Sequence, residues 1–396
     1  MKQVVRSVLA CALSTASLLT AVSAQKATFA NGASSTGWID FEFFEGKSIF
    51  VPAKINGHDT NVLLVTGLPV SDIDSSFAAS IGLEAKGRVE PGGGGKDNPA
   101  KSVSGLQIQI GNLALPASTV NVVDFAPLAA HRGHPMPMLL GDEVFNSMVV
   151  DIDFARRRIA FRDPSNEVEV AGAVVVPLTP EQDQRLVPVS IEGAPPAQFE
   201  FGLGNTGEIL VYQSYYDSHK LLEGRQTSQR LAAGTGGFLT EDVAMLKRAR
   251  FAGLEFADMP AAFIPATQTP GLAADIAGDI GLPVLARFRL IIDYPHNRLF
   301  AIPYAEVVHA PFAKDRLGLV LNNEGDSFAV RFVARKSPAQ MAGFKVGDKI
   351  SLIEGKSAKD LKQTALANLR FGAAGSRLTF TMKNGETRQV KLDDYF

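Results

Sequence analysis

The sequence contains one segment twice, and this repetition constrains the fold more than any single motif does. Residues 51–57 read VPAKING, and residues 187–193 read VPVSIEG. Each copy has a strand-like pattern that ends at a glycine and is followed by a second apolar run, which is typical of a β-hairpin. Each hairpin then leads to a further glycine, Gly67 in the first copy and Gly204 in the second. The repeat predicts two related, β-rich units.

Two more pairs of segments recur in the same order. Gly141 precedes Asp153 by the same interval as Gly281 precedes Asp293, and an aromatic residue follows each aspartate. A middle element also recurs, at residues 106–111 and 248–253. Several matches in one order indicate a duplication rather than chance. We therefore predict a first unit at residues 38–163 and a second at residues 174–305.

The bends that follow the repeated hairpins carry a family resemblance. Residues 65–67 read VTG and residues 202–204 read GLG, while LLG at 139–141 and DIG at 279–281 follow later in each unit. This layout resembles the bilobal aspartic proteases of the pepsin and retropepsin-like class. In that family each lobe supplies an Asp-Thr/Ser-Gly bend with a hydrophobic-hydrophobic-Gly element behind it. The resemblance covers about residues 38–305 and implies a mainly β fold of two acid-protease-like β-barrels.

The resemblance places the two catalytic aspartates of the family at Val65 and Gly202. Acid-protease chemistry needs two carboxyl groups that share one proton, and neither valine nor glycine can accept or donate one. Thr66, Gly67 and Gly204 remain as remnants of the bends. We therefore predict no catalytic residues at this site.

Other acids near the bends leave an alternative open. An alternative register reads residues 205–207, NTG, as the second bend, but Asn205 has no carboxylate either. Glu200 shares a strand face with position 202, and Asp72 follows the first bend. An active aspartyl endopeptidase would need such a non-standard acid.

The pattern changes from residue 314 onward. Residues 337–339 read SPA, an Ala-Gly pair follows at 342–343, and GDKI follows at 347–350. A final hairpin turns at Asn384 and Gly385, a strong turn dipeptide. These features resemble a bacterial-type PDZ domain, a small α+β fold, at residues 314–396.

The PDZ resemblance implies a peptide-binding groove. In that family an extended peptide adds a strand to the sheet edge, and loop amides capture its terminal carboxylate. Leu361, Ala365 and Leu369 are spaced to lie on one face of a predicted helix beside this groove. Carried over to this sequence, the groove residues are Arg316, Leu317, Gly318, Leu319, Leu321, Leu361 and Ala365. The alternative is a domain that braces the two units and leaves its groove unused.

The N-terminus indicates export. Residues 1–24 combine Lys2 and Arg6 with an apolar run that ends in VSA at 22–24, the pattern of a cleaved signal peptide. The run is short for a membrane anchor, so we predict no transmembrane anchor after its removal and a periplasmic or secreted bacterial protein. The single cysteine, Cys11, lies within this segment, which leaves lipidation there as an alternative and gives the mature chain no disulfide.

Composition and the remaining motifs narrow the functional classes. The net charge of −2, from 39 basic and 41 acidic residues, does not favour a nucleic-acid partner. Residues 202–207 match G-x-G-x-x-G, but strand-forming residues follow where a dinucleotide site needs a helix. His131 and His134 stand in a loop sequence without neighbouring acids or cysteines, so we predict no metal site. No cofactor is predicted.

These inferences predict an exported pseudoprotease. It would bind extended peptide or protein segments, including C-termini, in its cleft and through its PDZ groove. The alternatives are the active endopeptidase described above and a structural envelope protein with a filled cleft.

Overall fold

The computed structural model describes residues 27–85, 101–166, 170–234 and 237–396. The predicted signal peptide lies outside these residues. The described chain is built mainly from β-strands, which confirms the predicted fold class. No helix of the described chain is long and apolar enough to cross a membrane.

The first part of the chain forms strands with three short helices. The strands are β1 (Thr28–Phe29), β2 (Ile39–Asp40), β3 (Glu42–Phe44), β4 (Ser48–Ile55), β5 (His58–Leu64), β6 (Asp72–Asp74), β7 (Lys101–Ile110), β8 (Leu113–Val123), β9 (Met138–Leu140), β10 (Val149–Asp153) and β11 (Arg158–Arg162). The helices are α1 (Ser75–Ser80), α2 (Ala126–Arg132) and α3 (Asp142–Ser147), with a 3-10 turn at Ala30–Gly32.

The second part is likewise built from strands and short helices. Its strands are β12 (Val174–Pro177), β13 (Thr179–Glu181), β14 (Gln184–Ile191), β15 (Ala197–Gly202), β16 (Ile209–Tyr212), β17 (Ser228–Gly234), β18 (Gly237–Phe251), β19 (Leu254–Ile264), β20 (Ile276–Gly281), β21 (Phe288–Asp293) and β22 (Arg298–Pro303). The helices are α4 (Gln213–Ser218) and α5 (Leu282–Leu285), with 3-10 turns at Ala266–Gln268 and Tyr294–His296.

The C-terminal part is a smaller α+β unit. Its strands are β23 (Leu319–Asn323), β24 (Phe328–Val333), β25 (Lys349–Ile353), β26 (Lys356–Ser357), β27 (Arg377–Met382) and β28 (Thr387–Lys391). Its helices are α6 (Pro338–Met341) and α7 (Gln363–Asn368), and a 3-10 turn at Leu369–Phe371 continues α7.

Two closed barrels share one pattern of strand pairing. The first barrel closes in the order β4, β5, β9, β6, β8, β7 and back to β4. The second barrel closes in the order β14, β15, β20, β16, β19, β18 and back to β14. In both, the pairings run antiparallel, parallel, antiparallel, parallel, antiparallel, antiparallel. The repeated sequence segments occupy matching strands.

Matching positions of the two barrels are buried in one apolar cluster. Val51 and Val187 begin the two copies of the repeat, and both are fully buried. Val62 on β5 and Phe199 on β15 lie behind the two bends and are also fully buried. Because inward-facing residues alternate along each strand, the same sequence spacing fills both barrel interiors.

A sheet shared by both parts of the chain joins the barrels. Its order is β12, β22, β21, β10, β11, β2, and its central strands β10 and β21 pair antiparallel with Asp151 opposite Ile291. Asp151 is completely buried and accepts hydrogen bonds from Arg162 at 2.6 Å and from Arg289 at 2.9 and 2.8 Å. The Trp38 ring lies 5.3 Å from the Arg289 guanidinium. One carboxylate thus links the two halves of the sheet.

The C-terminal unit contacts both barrels. Its sheet runs β23, β24, β25, β27, β28, which leaves β23 at the edge, and it has its own apolar core around Phe344 and Phe380. Toward the first barrel, Lys47 Nζ lies 4.8 Å from the Phe371 ring. Toward the second barrel, Arg335 pairs with Asp242 at 2.8 Å. The unit therefore bridges the two barrels.

The helix of the C-terminal unit begins later than the sequence predicted. Leu361 precedes α7 and, like Leu369, packs at the margin of the unit's core, while Ala365 is exposed to solvent. Leu366 is the buried residue of the helix. Leu361, Ala365 and Leu369 therefore do not form one helix face. Leu361 lies in the non-helical stretch before Gln363, so its spacing from Ala365 is not a helical one.

We expect Asp151→Ala to destabilise the protein by about 3 kcal/mol, because it leaves two arginines without the buried carboxylate that they share. The control is Glu255→Ala. Glu255 pairs with Arg250 at 3.4 Å, but both side chains are at least half exposed, so the loss should be below about 1 kcal/mol. Urea unfolding midpoints would measure both. Equal losses would contradict a structural role for Asp151.

Candidate functional site

A continuous cavity of about 770 Å³ lies where the two barrels meet the C-terminal unit. Val65 and Thr66 line it from the first barrel, and Gly202, Gly204 and Asp279 line it from the second. The C-terminal unit contributes residues of the edge strand β23 and of α7. The volume is within the usual range for ligand-binding clefts. The bends and the predicted peptide groove therefore open into the same space.

The two bends face each other, and Thr66 of the first bend makes side-chain hydrogen bonds to the backbone of the second. Thr66 Oγ1 donates a hydrogen bond to the Phe201 carbonyl at 2.5 Å and accepts one from the Leu203 amide at 2.9 Å. Leu203 holds the corresponding place in the second bend, where it is buried and has no hydroxyl to return the contact. A Cβ at Gly204 would come within 2.7 Å of Val65 Cγ1. The valine thus fills the space between the bends.

The carboxyl group of Asp279 occupies the space beside Gly202. A Cβ added at position 202 would overlap the Asp279 carboxyl atoms, so only glycine fits without a shift. Asn205 Nδ2 donates to Asp279 Oδ1 at 3.2 Å. The parallel register of β15 and β20 places Glu200 opposite Asp279. Two neighbouring carboxyl groups therefore lie behind the second bend.

Burial determines the charge of this carboxyl pair. Enclosure by protein raises the pKa of Asp279 well above its ordinary value, and the neighbouring Glu200 raises it further. Burial also raises the pKa of Glu200, although a 2.7 Å hydrogen bond from the Tyr212 hydroxyl opposes the rise. Burial and the neighbouring acid thus both favour the protonated form of Asp279 at the cavity wall.

The acids named in the sequence analysis lie in different places. Glu200 is beside Asp279, as described. Asp72 is on β6, where Asn121 donates to it at 3.0 Å, and it is not among the described residues that line the cavity. Sequence reasoning missed Asp279 itself. The signal was the aspartate in DIG, at a position where the first unit has Leu139.

The first bend has a buried acid of its own. The Gly67 amide donates to Asp142 Oδ1 at 3.1 Å, and burial raises the pKa of Asp142 to about 7. Asp142 begins α3, directly after β9. It supports the backbone of the bend and does not line the cavity that the described residues form.

The predicted PDZ residues divide into lining and supporting positions. Leu319 and Leu321 line the cavity from β23. Leu317 lies in the core of the unit, and Gly318 has a φ of +68° with Ser337 packed where a side chain would be. Arg316 Nε donates to Asp394 at 2.6 Å. On α7 and the turn after it, the cavity is lined by Gln363, Leu366, Ala367, Asn368, Arg370 and Phe371.

Two side chains already bond the backbone of this groove. Asp315 Oδ1 accepts from the Leu317 amide at 3.0 Å and from the Gly318 amide at 2.7 Å. Gln363 Nε2 donates to the Leu321 carbonyl at 2.8 Å, and its Oε1 accepts from the Asn323 amide at 3.1 Å. Neither residue was among the predicted groove residues. Asp315 bonds amides two and three residues ahead, a local contact that aspartate commonly makes, whereas Gln363 acts through a long-range contact that only folding creates.

The two histidines considered as metal ligands contact different residues. His134 packs 4.1 Å from the Phe50 ring, and its Nε2 lies 3.2 Å from Glu42. His131 contacts Phe238 edge to face, and burial lowers its pKa. Among the described residues, no group of three or more His, Cys, Asp or Glu side chains is arranged to hold a metal ion.

We expect Gly202→Ala to destabilise the protein by about 1–3 kcal/mol, because the added methyl overlaps the Asp279 carboxyl group. In an Asp279→Ala background the same substitution should cost much less, since the conflicting atoms are gone. Chemical denaturation of both single variants and the double variant would measure the coupling. The control is Gly234→Ala, where a Cβ would meet no atom within 4 Å. A full cost at position 202 in both backgrounds would refute this packing.

We expect stability to fall as the pH rises from about 4 to about 7. In that range the native state retains the Asp142 proton that the unfolded chain releases, because the folded pKa is the higher one. Asp142→Asn should reduce this decline by about 1 kcal/mol or more, since one pKa unit corresponds to about 1.4 kcal/mol. Thermal unfolding at several pH values would measure it. The exposed Asp258, replaced by Asn, is the control and should leave the profile unchanged.

Comparison with known proteins identifies the C-terminal unit. Residues 316–393 match the family model described as PDZ domain. No curated protein matches the chain. The matched region coincides with the unit that contains β23 to β28, α6 and α7, and domains of this type bind peptides and C-termini. The C-terminal part of this chain is a PDZ domain.

Proposed function

We propose that this protein is an exported pseudoprotease that binds extended polypeptide in the cavity between its two barrels and its PDZ domain. The observation that carries the proposal is the continuity of this cavity. The PDZ edge strand, with Leu319 and Leu321, and the two bends, with Val65 and Gly202, line the same space. A peptide that adds to β23 therefore also faces the bends. Export to the periplasm or the medium is part of the proposal.

The side chains at the bends support binding without cleavage. The resemblance to bilobal aspartic proteases puts the catalytic pair at Val65 and Gly202, and neither side chain carries a proton that could be exchanged. Val65 packs against Gly204, and Asp279 fills the space beside Gly202. The retained contacts of Thr66 hold the bends in place. The cleft between the bends is thus retained, but Val65 and Gly202 offer no proton transfer for peptide cleavage.

Two alanines on α7, two positions apart, provide a matched test. Ala367 lines the cavity, whereas Ala365 on the same helix is exposed to solvent. We expect Ala367→Lys to weaken peptide binding by about tenfold or more, because a long charged side chain enters the groove. Ala365→Lys should leave affinity unchanged. Peptides selected from a random display library on the mature protein would serve as probes in fluorescence anisotropy.

The selection itself also tests the proposal. Failure of the well-folded protein to select any peptide would overturn it and favour the structural role, in which the PDZ domain only braces the barrels. Equal effects of the two lysine substitutions would place binding outside the cavity.

A second candidate function is favoured by the carboxyl pair of Glu200 and Asp279. Two acids with raised pKa values beside a cleft are a feature of acid–base catalysis, and an aspartyl endopeptidase that uses them would cut peptides at low pH. Incubating a diverse peptide pool between about pH 3 and 8, with and without pepstatin, would detect this. Cleavage that is lost in Asp279→Asn would establish this function and exclude the pseudoprotease.

A further inference from the structure

The amides of the PDZ loop are already occupied by a carboxylate from the same chain. Asp315 Oδ1 accepts hydrogen bonds from the amides of Leu317 and Gly318. The Asp315 side chain is largely buried, with 17% of its surface exposed, and it borders the cavity. A nest of consecutive backbone amides is the usual means of capturing a peptide's terminal carboxylate. Here Asp315 stands in the position that such a carboxylate would take.

The bonds around Asp315 hold it in this position. Its second oxygen lies 3.9 Å from Arg370 Nη1, and the buried Tyr395 side chain is hydrogen-bonded to the Asp315 carboxyl group. A peptide's terminal carboxylate would therefore have to displace an equivalent group or lie beside it. Displacement gains no hydrogen bond, and two carboxylates side by side repel each other.

The edge of β23 differs from the loop, because a neutral side chain covers its backbone groups. Gln363 bonds the Leu321 carbonyl and the Asn323 amide through its side-chain amide. A side-chain amide offers the same donor and acceptor as a peptide group. An added strand is thus able to replace Gln363 bond for bond, while the freed glutamine side chain turns to solvent.

We propose that Asp315 excludes free carboxyl termini from this groove, so that the PDZ domain takes an internal polypeptide segment instead. The inference rests on the proposed function and specifies its ligand. The cavity supports it, because the same space continues from the loop to the bends at Val65 and Gly202. A chain that runs past the loop therefore has room beyond the groove, whereas a chain that ended at the loop would leave that space unused.

The test compares two matched pools of short random-sequence peptides, one with terminal carboxylates and one with terminal amides. Each pool is passed over immobilised mature protein, and retained peptides are quantified by mass spectrometry. The wild type should retain amidated peptides at least as well as free-carboxylate ones. Asp315→Ala vacates the loop amides, so we expect the carboxylate-to-amide ratio to rise about tenfold.

Two further variants test whether the charge of Asp315 or its occupation of the loop amides excludes a terminal carboxylate. Asp315→Asn keeps an acceptor for the loop amides and removes only the charge, so the ratio should rise less than in Asp315→Ala. Asp360→Ala is the matched control, because Asp360 accepts bonds from Ser357 in the same domain and does not line the cavity. It should leave the ratio unchanged. Thermal unfolding verifies that each variant is folded, and if Asp315→Ala is not, Asp315→Asn decides alone.

The outcomes distinguish the inference from the proposed function. A wild type that prefers free carboxylates, or a folded Asp315 variant that shows no rise in the ratio, overturns the role of Asp315. Retention of neither pool by the wild type overturns the proposed function. In that case a gain of carboxylate binding in Asp315→Ala would still support the inference about the loop.

Discussion

The antiparallel pairing of β10 with β21 is the contact on which the rest of the structure depends. It makes one sheet from strands of both halves of the chain and brings the two bends face to face. The completely buried Asp151, held by arginines from both halves, sits at the centre of this pairing. A buried carboxylate tolerates little displacement, because any movement would leave charges unpaired. The cavity exists because these two halves meet in one fixed orientation.

The PDZ domain completes the cavity. Without it, the space between the barrels would be open along the side where Lys47 now contacts Phe371 and Arg335 pairs with Asp242. The PDZ domain thus connects the two barrels and also lines the cavity between them. Because β23 remains at the sheet edge and faces the cavity, bracing and peptide binding are compatible. We infer that two partly buried polar side chains at this junction, Asp315 and Gln363, determine which ligands the groove accepts.

The residues at the two bends fit closely against their neighbours. Val65 fits against Gly204, and Gly202 leaves space for the carboxyl group of Asp279. A catalytic pair of the resembled family would be ionisable groups close together, whose pKa values separate because they share a proton. Here the neighbouring pair is instead Glu200 and Asp279, which come from adjacent strands of one barrel. The bends themselves, at Val65 and Gly202, carry no acid and are packed against their neighbours.

The sequence by itself determined the β-rich class, the repeated hairpins, the bends and the PDZ domain. These follow from local periodicity, turn glycines and a short motif, all of which act between residues close in the chain. It did not determine the start of α7, because the turn before Gln363 has a helix-like apolar spacing. Only the tertiary structure decided that Asp279 lies beside Gly202 and that the groove and the bends share one cavity. Those properties depend on which distant strands and domains come into contact, and no local pattern records such contacts.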